Sequence, residues 1–167
     1  QGGEPYETLL ADAGLPRARL VAAATVKSDQ EAVPYMLSQA FDPAAEVVLA
    51  EAPPVALDGG PASGEVHWEE RSPNRLRLSV TSDRPALLVV ADNWFPAWKA
   101  TVNGADAPVL RAYHTLRAVP VPAGASTVEM SYHSRTLILS LWLSIVALSA
   151  LVGLGVWGLF RDRWRAA

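Results

Sequence analysis

The 167-residue chain contains 14 Lys+Arg and 17 Asp+Glu residues, which gives a net charge of −3, and it contains no cysteine. A mildly acidic balance argues against nucleic-acid binding, because that binding is dominated by cationic contacts to phosphate. A chain without cysteine has no disulfides, no thiol catalysis and no cysteine-ligated metal.

Residues 1–15 predict a flexible leader, because early Gly and Pro interrupt a weak helical pattern. Gln1 is not an initiator methionine, so we expect either a processed product or the end of a longer protein. Residues 16–135 are long enough for one hydrophobic core. We expect them to form a single extracytoplasmic domain.

The first half of this domain predicts two strands and one short helix. Residues 17–26 and 46–51 carry the apolar runs of strands, and residues 28–31 offer cap-type side chains for a helix extending to about Ala40. Pro34 fits only in the first turn of a helix, so we expect the helix to begin late. Its apolar face comprises Val33, Met36, Leu37 and Ala40. Residues 52–64 are rich in Pro and Gly and predict a surface connection.

The second half predicts short strands at residues 65–71, 75–81, 85–91, 98–102, 109–113, 115–121 and 126–133. Alternation in residues 75–81 places Leu76, Leu78 and Val80 inward. Asn103-Gly104 supplies the positive φ angles of a tight turn, so we expect residues 98–102 to pair with residues 109–113. The prediction is an all-β fold: an antiparallel β-sandwich, jelly-roll or immunoglobulin-like, with one short helix.

Residues 137–160 form a run of 24 uncharged, mostly apolar residues. A helix of this length is about 36 Å long, enough to cross a hydrocarbon core of about 30 Å with some tilt. The sequence therefore predicts one C-terminal transmembrane helix, residues 136–161, in a lipid bilayer. Basic flanks stay on the cytoplasmic side, and residues 162–167 include Arg163 and Arg165. We therefore expect this tail inside the cell and the N-terminal domain outside, in the periplasm or extracellular space.

Gly153 to Gly158 match the letters of the dinucleotide fingerprint GxGxxG, but that motif requires a strand before it and a helix after it. Here the letters lie inside the predicted membrane helix. Small residues on such a helix allow close packing against another helix. The candidate packing residues for another membrane protein subunit are Ser149, Gly153, Gly155 and Gly158. The alternative is the ordinary enrichment of glycine in membrane helices.

Neither a metal, nor a cofactor, nor a catalytic residue is predicted. His67, His114 and His133 fall on three different predicted strands, without a second ligand at a metal-type spacing. Asp92 could serve as an acid or as a calcium ligand, but Asp92-Asn93 is also a turn-forming pair, which is the interpretation that we favour.

Aromatic residues gather around one predicted loop and its flanking strands: Trp68, Trp94, Phe95, Trp98 and Tyr113. They could form a sugar-stacking platform or an interface with another protein, where Trp and Tyr are typical anchors. They could equally belong to the core of the sandwich. We expect Trp98 to be in the core with Tyr132, and Trp94 and Phe95 to be exposed.

Two runs of sequence resemble the C-terminal extracytoplasmic domain of the bacterial YfhO family: LLVVADNWFPAWKATVNG and VLRAYHTLRAVPVPAGASTVEMSYHS. The matching features, in the family order, are Pro96-Ala97-Trp98, Asn103-Gly104, Leu116-Arg117-Ala118-Val119, Pro122-Ala123-Gly124, and Val128 with Tyr132. The similarity extends over about residues 15–136 and the last span. Two details depart from the family pattern. Trp94-Phe95 stands where two tyrosines are common, and Asn103 stands where Asp is common.

Members of that family are multi-spanning proteins regarded as membrane glycosyltransferases of the GT-C type. The resemblance therefore implies an outer domain beside a final span. It implies no catalytic residue here, because the family's transferase site is expected in the multi-helix part.

Three functions remain open. The one we prefer is a noncatalytic, membrane-anchored accessory subunit that stabilises a larger membrane protein complex of respiratory, photosynthetic, secretion or envelope type. The second is the C-terminal domain of a YfhO-like glycosyltransferase. The third is an anchored carbohydrate-binding module, whose partner would be a glycan.

Overall fold

A computed structural model describes residues 14–60 and 62–165 of the chain. It divides into two compact units between Tyr132 and His133. The first unit consists of two β-sheets and a short helix, and the second is one long helix. Residues 1–13, which make up most of the predicted leader, lie outside the described residues.

Eleven strands and two helices occur in the described residues. The strands are β1 (Ala18–Val21), β2 (Ala24–Val26), β3 (Val47–Leu49), β4 (Gly64–Ser72), β5 (Arg75–Ser82), β6 (Ala86–Asn93), β7 (Trp98–Val102), β8 (Ala105–Ala107), β9 (Leu110–Ala112), β10 (Leu116–Val121) and β11 (Gly124–Tyr132). The helices are α1 (Asp29–Met36) and α2 (Arg135–Arg165).

The strands form a six-stranded sheet, in the order β1-β6-β10-β9-β3-β2, and a five-stranded sheet, in the order β4-β5-β11-β7-β8. Neighbouring strands are antiparallel except β2 and β3, which are parallel. This confirms the prediction of a β-rich fold and is consistent with a sandwich.

The main core combines side chains of both sheets. Leu78 of β5 and Val128 of β11 pack with Leu88 and Val90 of β6, and all four are fully buried. The alternating sequence of β5 places its apolar residues on this face, as the sequence predicts.

Strand β6 is buried on both faces, which its continuous apolar sequence requires. While Leu88 faces the main core, Leu87 and Val89 belong to a second cluster on the other face of the six-stranded sheet. Leu57, from the Pro- and Gly-rich connection, packs against this second cluster. The connection therefore covers a sheet face in addition to joining β3 to β4.

The predicted partner of β7 was wrong. Asn103 and Gly104 adopt φ angles of 52° and 81°. This two-residue turn places Ala105 directly opposite Val102, so β7 pairs with β8. Pro108 then follows β8, and because proline has no N–H it cannot extend the ladder. The next strand, β9, pairs instead with β10 in the other sheet.

The first predicted strand was also too long. It divides into β1 and β2 at Ala22-Ala23, because other segments occupy the backbone oxygens at this point. Gly59 donates its N–H to the Ala22 carbonyl at 3.1 Å, and Val47 donates to the Ala23 carbonyl at 2.9 Å. Thus β1 pairs with β6, whereas β2 pairs with β3.

Helix α1 begins earlier and ends earlier than predicted. The backbone N–H and the hydroxyl of Ser28 donate to the Glu31 carboxylate at 3.3 and 2.7 Å, which fixes the start. Pro34 therefore lies inside the helix rather than in its first turn. The predicted apolar face was wrong as well: Ala32 is buried, but Leu37 is 82% exposed.

Helix α2 comprises 31 residues and extends through Arg165, beyond the predicted end of the span. Each residue from Ile138 to Leu154 is exposed. The described part of the chain contains no helix that is both long enough and apolar enough to cross a membrane.

Candidate functional site

The candidate site is the loop between β6 and β7 and its surroundings. The Trp94 N–H donates to the Thr115 carbonyl at 2.7 Å, and the Trp98 N–H donates to the Phe95 carbonyl at 3.1 Å, so the loop is held at both ends. Two shallow pockets, of about 260 and 290 Å³, lie beside the loop. Asn93 and Phe95 line both of them.

Trp94 is half-buried and its indole is fixed in place. The Nε1–H donates to the Val109 carbonyl at 2.8 Å. The guanidinium carbon of Arg111 lies 6.0 Å from the centre of the ring. Trp94 thus connects the loop to the segment before β9, and Arg111 lies over its ring.

Phe95 is the exposed aromatic residue of the loop, with 53% of its surface accessible. Because it lies between the two pockets, it is the member of the predicted aromatic set that solvent or a ligand reaches most directly.

Trp98, at the start of β7, is half-buried and packs against the main core. Its ring lies 5.4 Å from that of Tyr132, which is opposite to it in β11. The guanidinium carbon of Arg117 lies 3.8 Å from the centre of the indole, in cation–π contact. The 260 Å³ pocket adjoins this Arg117–Trp98 pair.

A three-residue ion cluster holds Arg117 in place. The Nη2 of Arg117 donates to Asp92 Oδ2 at 2.8 Å, and Arg17 donates to both oxygens of the same carboxylate at 3.0 and 2.9 Å. The side chain of Arg117 is only 3% exposed. Burial lowers the pKa of Arg117, and the Asp92 charge opposes this effect. The Asp92 carboxylate is thus occupied by two cations, which leaves it poorly placed to act as an acid or as a calcium ligand.

Tyr113 lines neither pocket, and its side chain makes contacts that stabilise the fold. Its hydroxyl donates to the Glu46 carbonyl at 2.7 Å and accepts from Arg19 Nη2 at 2.9 Å. Tyr113 and His114 have φ angles of 46° and 67°. This left-handed backbone conformation costs a residue other than glycine about 1–2 kcal/mol. The hydroxyl contacts tie this β9–β10 turn to the segment before β3. Burial raises the pKa of Tyr113, and Arg19 opposes the rise.

The predicted aromatic set is not brought together as one platform. Four of the five rings have a guanidinium carbon within 6.0 Å of their centres, namely those of Trp68, Trp94, Trp98 and Tyr113. Trp68 has two, from Arg17 and Arg71. The faces that a sugar ring would cover are therefore partly occupied by arginine side chains.

The predicted packing residues of α2 are partly described. The Ser149 hydroxyl donates to the Ile145 carbonyl of its own helix at 2.8 Å. A Cβ at Gly153 would meet nothing within 4 Å in this chain. The surroundings of Gly155 and Gly158 lie outside what the structure describes.

The histidines occupy separate places. His67 approaches Glu65 at 3.2 Å, and His114 approaches Asp29 at 3.6 Å, both at exposed positions. Across the described ranges, no group of three or more His, Cys, Asp and Glu side chains could hold a metal ion.

Arg117 is the site residue that the sequence reasoning passed over. The signal is present: Arg117 interrupts an otherwise apolar strand, β10, and Asp92 follows the apolar run of another, β6. An acid and a base in two apolar strands are expected to pair if the strands are neighbours, and β6 and β10 are neighbours. Identifying the pair therefore requires the strand order, which the sequence alone does not give.

Comparisons of this chain with protein-family models, with curated proteins and with solved structures give no match.

Proposed function

We propose that this chain is a membrane-anchored accessory domain: α2 spans the bilayer, and the β-rich domain lies outside and packs against other membrane proteins. The observation that carries the proposal is the surface of α2. Its large apolar side chains are exposed on every side of the helix, from Ile138 at 51% to Leu154 at 63%. A helix that is apolar all round belongs in a protein core or in a membrane.

Exposing this many apolar side chains to water is energetically costly. Twelve large hydrophobic residues between Ile138 and Trp157 are each 46–72% exposed. Burying one such side chain is worth about 1.5–3 kcal/mol, so keeping all twelve in water would cost on the order of 10 kcal/mol or more. Residues 137–160 as a whole carry no charge, which also favours a membrane span.

The charge distribution supports the orientation. Residues 1–136 contain 11 Lys+Arg against 16 Asp+Glu, whereas Arg161, Arg163 and Arg165 follow the apolar run with one Asp between them. Basic residues next to a span remain on the cytoplasmic side. The β-rich domain is therefore proposed to be outside.

The accessory role is favoured over a carbohydrate-binding module by the aromatic residues. A sugar-binding platform needs a ring face that is open to the ligand, but most of these rings carry an arginine on one face. Phe95 is exposed, as an interface anchor would be in the free domain.

The YfhO-like alternative is kept, because the residues of the resemblance occupy positions that define the fold. Asn103-Gly104 forms the β7–β8 turn, Gly124 has a φ of 93° at the start of β11, and Val128 is in the main core. Such positions are expected to match if two domains share a fold. In that case the accessory domain would serve helices of its own polypeptide.

Cysteine labelling tests the membrane topology, because the chain has no native cysteine. Asp106→Cys in β8 reports on the outer domain, and Ala167→Cys reports on the tail. In intact cells, a membrane-impermeant maleimide should label the first variant and should label the second only after lysis. Release of the chain by carbonate washing, or labelling of Ala167→Cys in intact cells, would contradict the proposal.

Partners are tested by mild-detergent extraction followed by size separation and mass spectrometry. A chain of about 18 kDa that travels with stoichiometric subunits supports the accessory subunit, whereas a much larger polypeptide ending in this sequence supports the YfhO-like alternative. Gly153→Leu should reduce co-purification, while Val152→Leu, which replaces one large apolar side chain of the helix with another, should not. Equal co-purification of both variants would exclude this helix face as the attachment.

A further inference from the structure

The guanidinium of Arg117 has hydrogen-bonding capacity that the protein does not use. The Nη2 donates to Asp92, but Nε and Nη1 are buried without a hydrogen-bond partner. A buried donor left unsatisfied costs about 1–3 kcal/mol. Native structures seldom retain such groups without a ligand, an ion or a functional reason.

The charge of the cluster is also incompletely balanced. Arg17 and Arg117 share the single carboxylate of Asp92, so the three side chains together have a net charge of +1. Arg17 is partly exposed and can be solvated, but Arg117 is not. One further negative charge beside Arg117 would make the cluster of Arg17, Asp92 and Arg117 electrically neutral.

The pocket beside Arg117 has walls suited to a small ligand with both an anionic and a less polar part. Its volume, about 260 Å³, lies just below the range of about 300–1,000 Å³ typical of drug-sized ligands. The polar and aromatic residues that line it, besides Arg117, are Asn74, Asn93, Phe95, Trp98 and Tyr132. Two amides and three aromatic rings therefore line the pocket beside the guanidinium.

We propose that this pocket binds a carboxylate or phosphate group of a small ligand, with Arg117 as the anion-binding residue. A guanidinium presents parallel N–H groups that match both oxyanions. Each of the two unpartnered nitrogens has less than 1 Å² of accessible surface, so a lining side chain must move to admit the anion. Phe95, the exposed residue at the loop, is placed to do so. This site goes beyond the proposed membrane role and does not depend on it.

Isothermal titration of the full-length chain in a non-ionic detergent tests the site. The probes are acetate, inorganic phosphate, glucuronate and neutral glucose, at constant ionic strength. We expect saturable binding of at least one anion with a Kd of about 1 mM or tighter, as for a charge-assisted contact in a shielded pocket. Arg117→Met should weaken that binding at least tenfold. Arg111→Met, which removes the arginine of the neighbouring pocket, should leave it unchanged.

Arg117→Lys keeps the charge but removes the planar donor set, and it should also weaken binding. It serves as the second variant if Arg117→Met does not fold by near-ultraviolet circular dichroism. Binding of acetate and glucuronate alone would assign a carboxylate ligand, and binding of phosphate alone a phosphate ligand. The proposal is overturned if no anion binds up to about 50 mM, if glucose binds as well as glucuronate, or if both Arg117 variants bind like the wild type.

Discussion

Removing one or the other partner of the Arg117–Asp92 pair should have unequal consequences for stability. Asp92→Asn leaves the buried guanidinium of Arg117 without an anion, and loss of one partner of a buried ion pair costs about 3–5 kcal/mol. In Arg117→Met, Asp92 still has two hydrogen bonds from Arg17. This change loses a cation–π contact of about 2 kcal/mol with Trp98 and one charged hydrogen bond, but it also removes two unsatisfied donors.

We therefore expect the free energy of unfolding of Arg117→Met to lie within about 2 kcal/mol of the wild type, or above it. Asp92→Asn should lie about 3–5 kcal/mol below the wild type. The double variant should be more stable than Asp92→Asn alone, because its buried charge is gone and Arg17 is exposed enough to be solvated. Urea unfolding of the full chain in a non-ionic detergent, followed by circular dichroism, measures all four proteins. Equal losses in the two single variants, added together in the double variant, would refute the reasoning.

Four further predictions concern the outer domain and use the same unfolding assay. Leu78→Ala should lower the free energy of unfolding by about 2–5 kcal/mol, because Leu78 is fully buried. The control, Thr81→Ala on the exposed face of β5, should change it by less than about 0.5 kcal/mol. Similar losses in the two variants would contradict the described register of β5. Tyr113→Phe should cost about 1–2 kcal/mol, because it removes a hydroxyl bonded to a carbonyl and an arginine, whereas Tyr132→Phe should be nearly neutral. The pKa of Tyr113 is raised above 10.0, so the stability that its protonated hydroxyl contributes is present below pH 10 and is lost as the pH rises further. Tyr113→Phe should therefore lose less stability between pH 8 and about 10.5 than the wild type. Parallel losses in the two proteins would show that Tyr113 is not the titrating group. Gly64→Ala should lower the free energy of unfolding by about 1–3 kcal/mol or more, since its Cβ would lie 2.0 Å from the Thr81 carbonyl oxygen; wild-type stability would mean that β4 and β5 are further apart than described.

Strands whose pattern is local could be predicted from the sequence. In β5, alternation of Leu76, Leu78 and Val80 with polar residues gives both the strand and its buried face. The two-sided burial of β6 follows from its unbroken apolar run in the same way. These predictions use only the neighbours of each residue along the chain.

Features that depend on strand order could not be predicted. The Asn103-Gly104 turn is correct locally, but whether β7 pairs with β8 or with a later strand depends on where the chain leaves the sheet after Ala107. Helix α1 is a different case, because its start is fixed locally: Ser28 and Glu31 form a capping box, and the helix begins there even though Pro34 then lies inside it.

The candidate site shows why residue type alone does not decide between the functions that the sequence leaves open. Exposed aromatics suggest a sugar platform, yet in this domain arginines lie over the rings, as Arg117 lies over Trp98. Arginines can lie over aromatic rings in this acidic domain, because a guanidinium is weakly hydrated and can be buried against a ring. A carboxylate beside it then balances only part of the arginine charge. Phe95 and the unsatisfied nitrogens of Arg117 lie beside one pocket. Because the cation, rather than the rings, has the unused binding capacity, a ligand of this domain is expected to be recognised first by its negative charge.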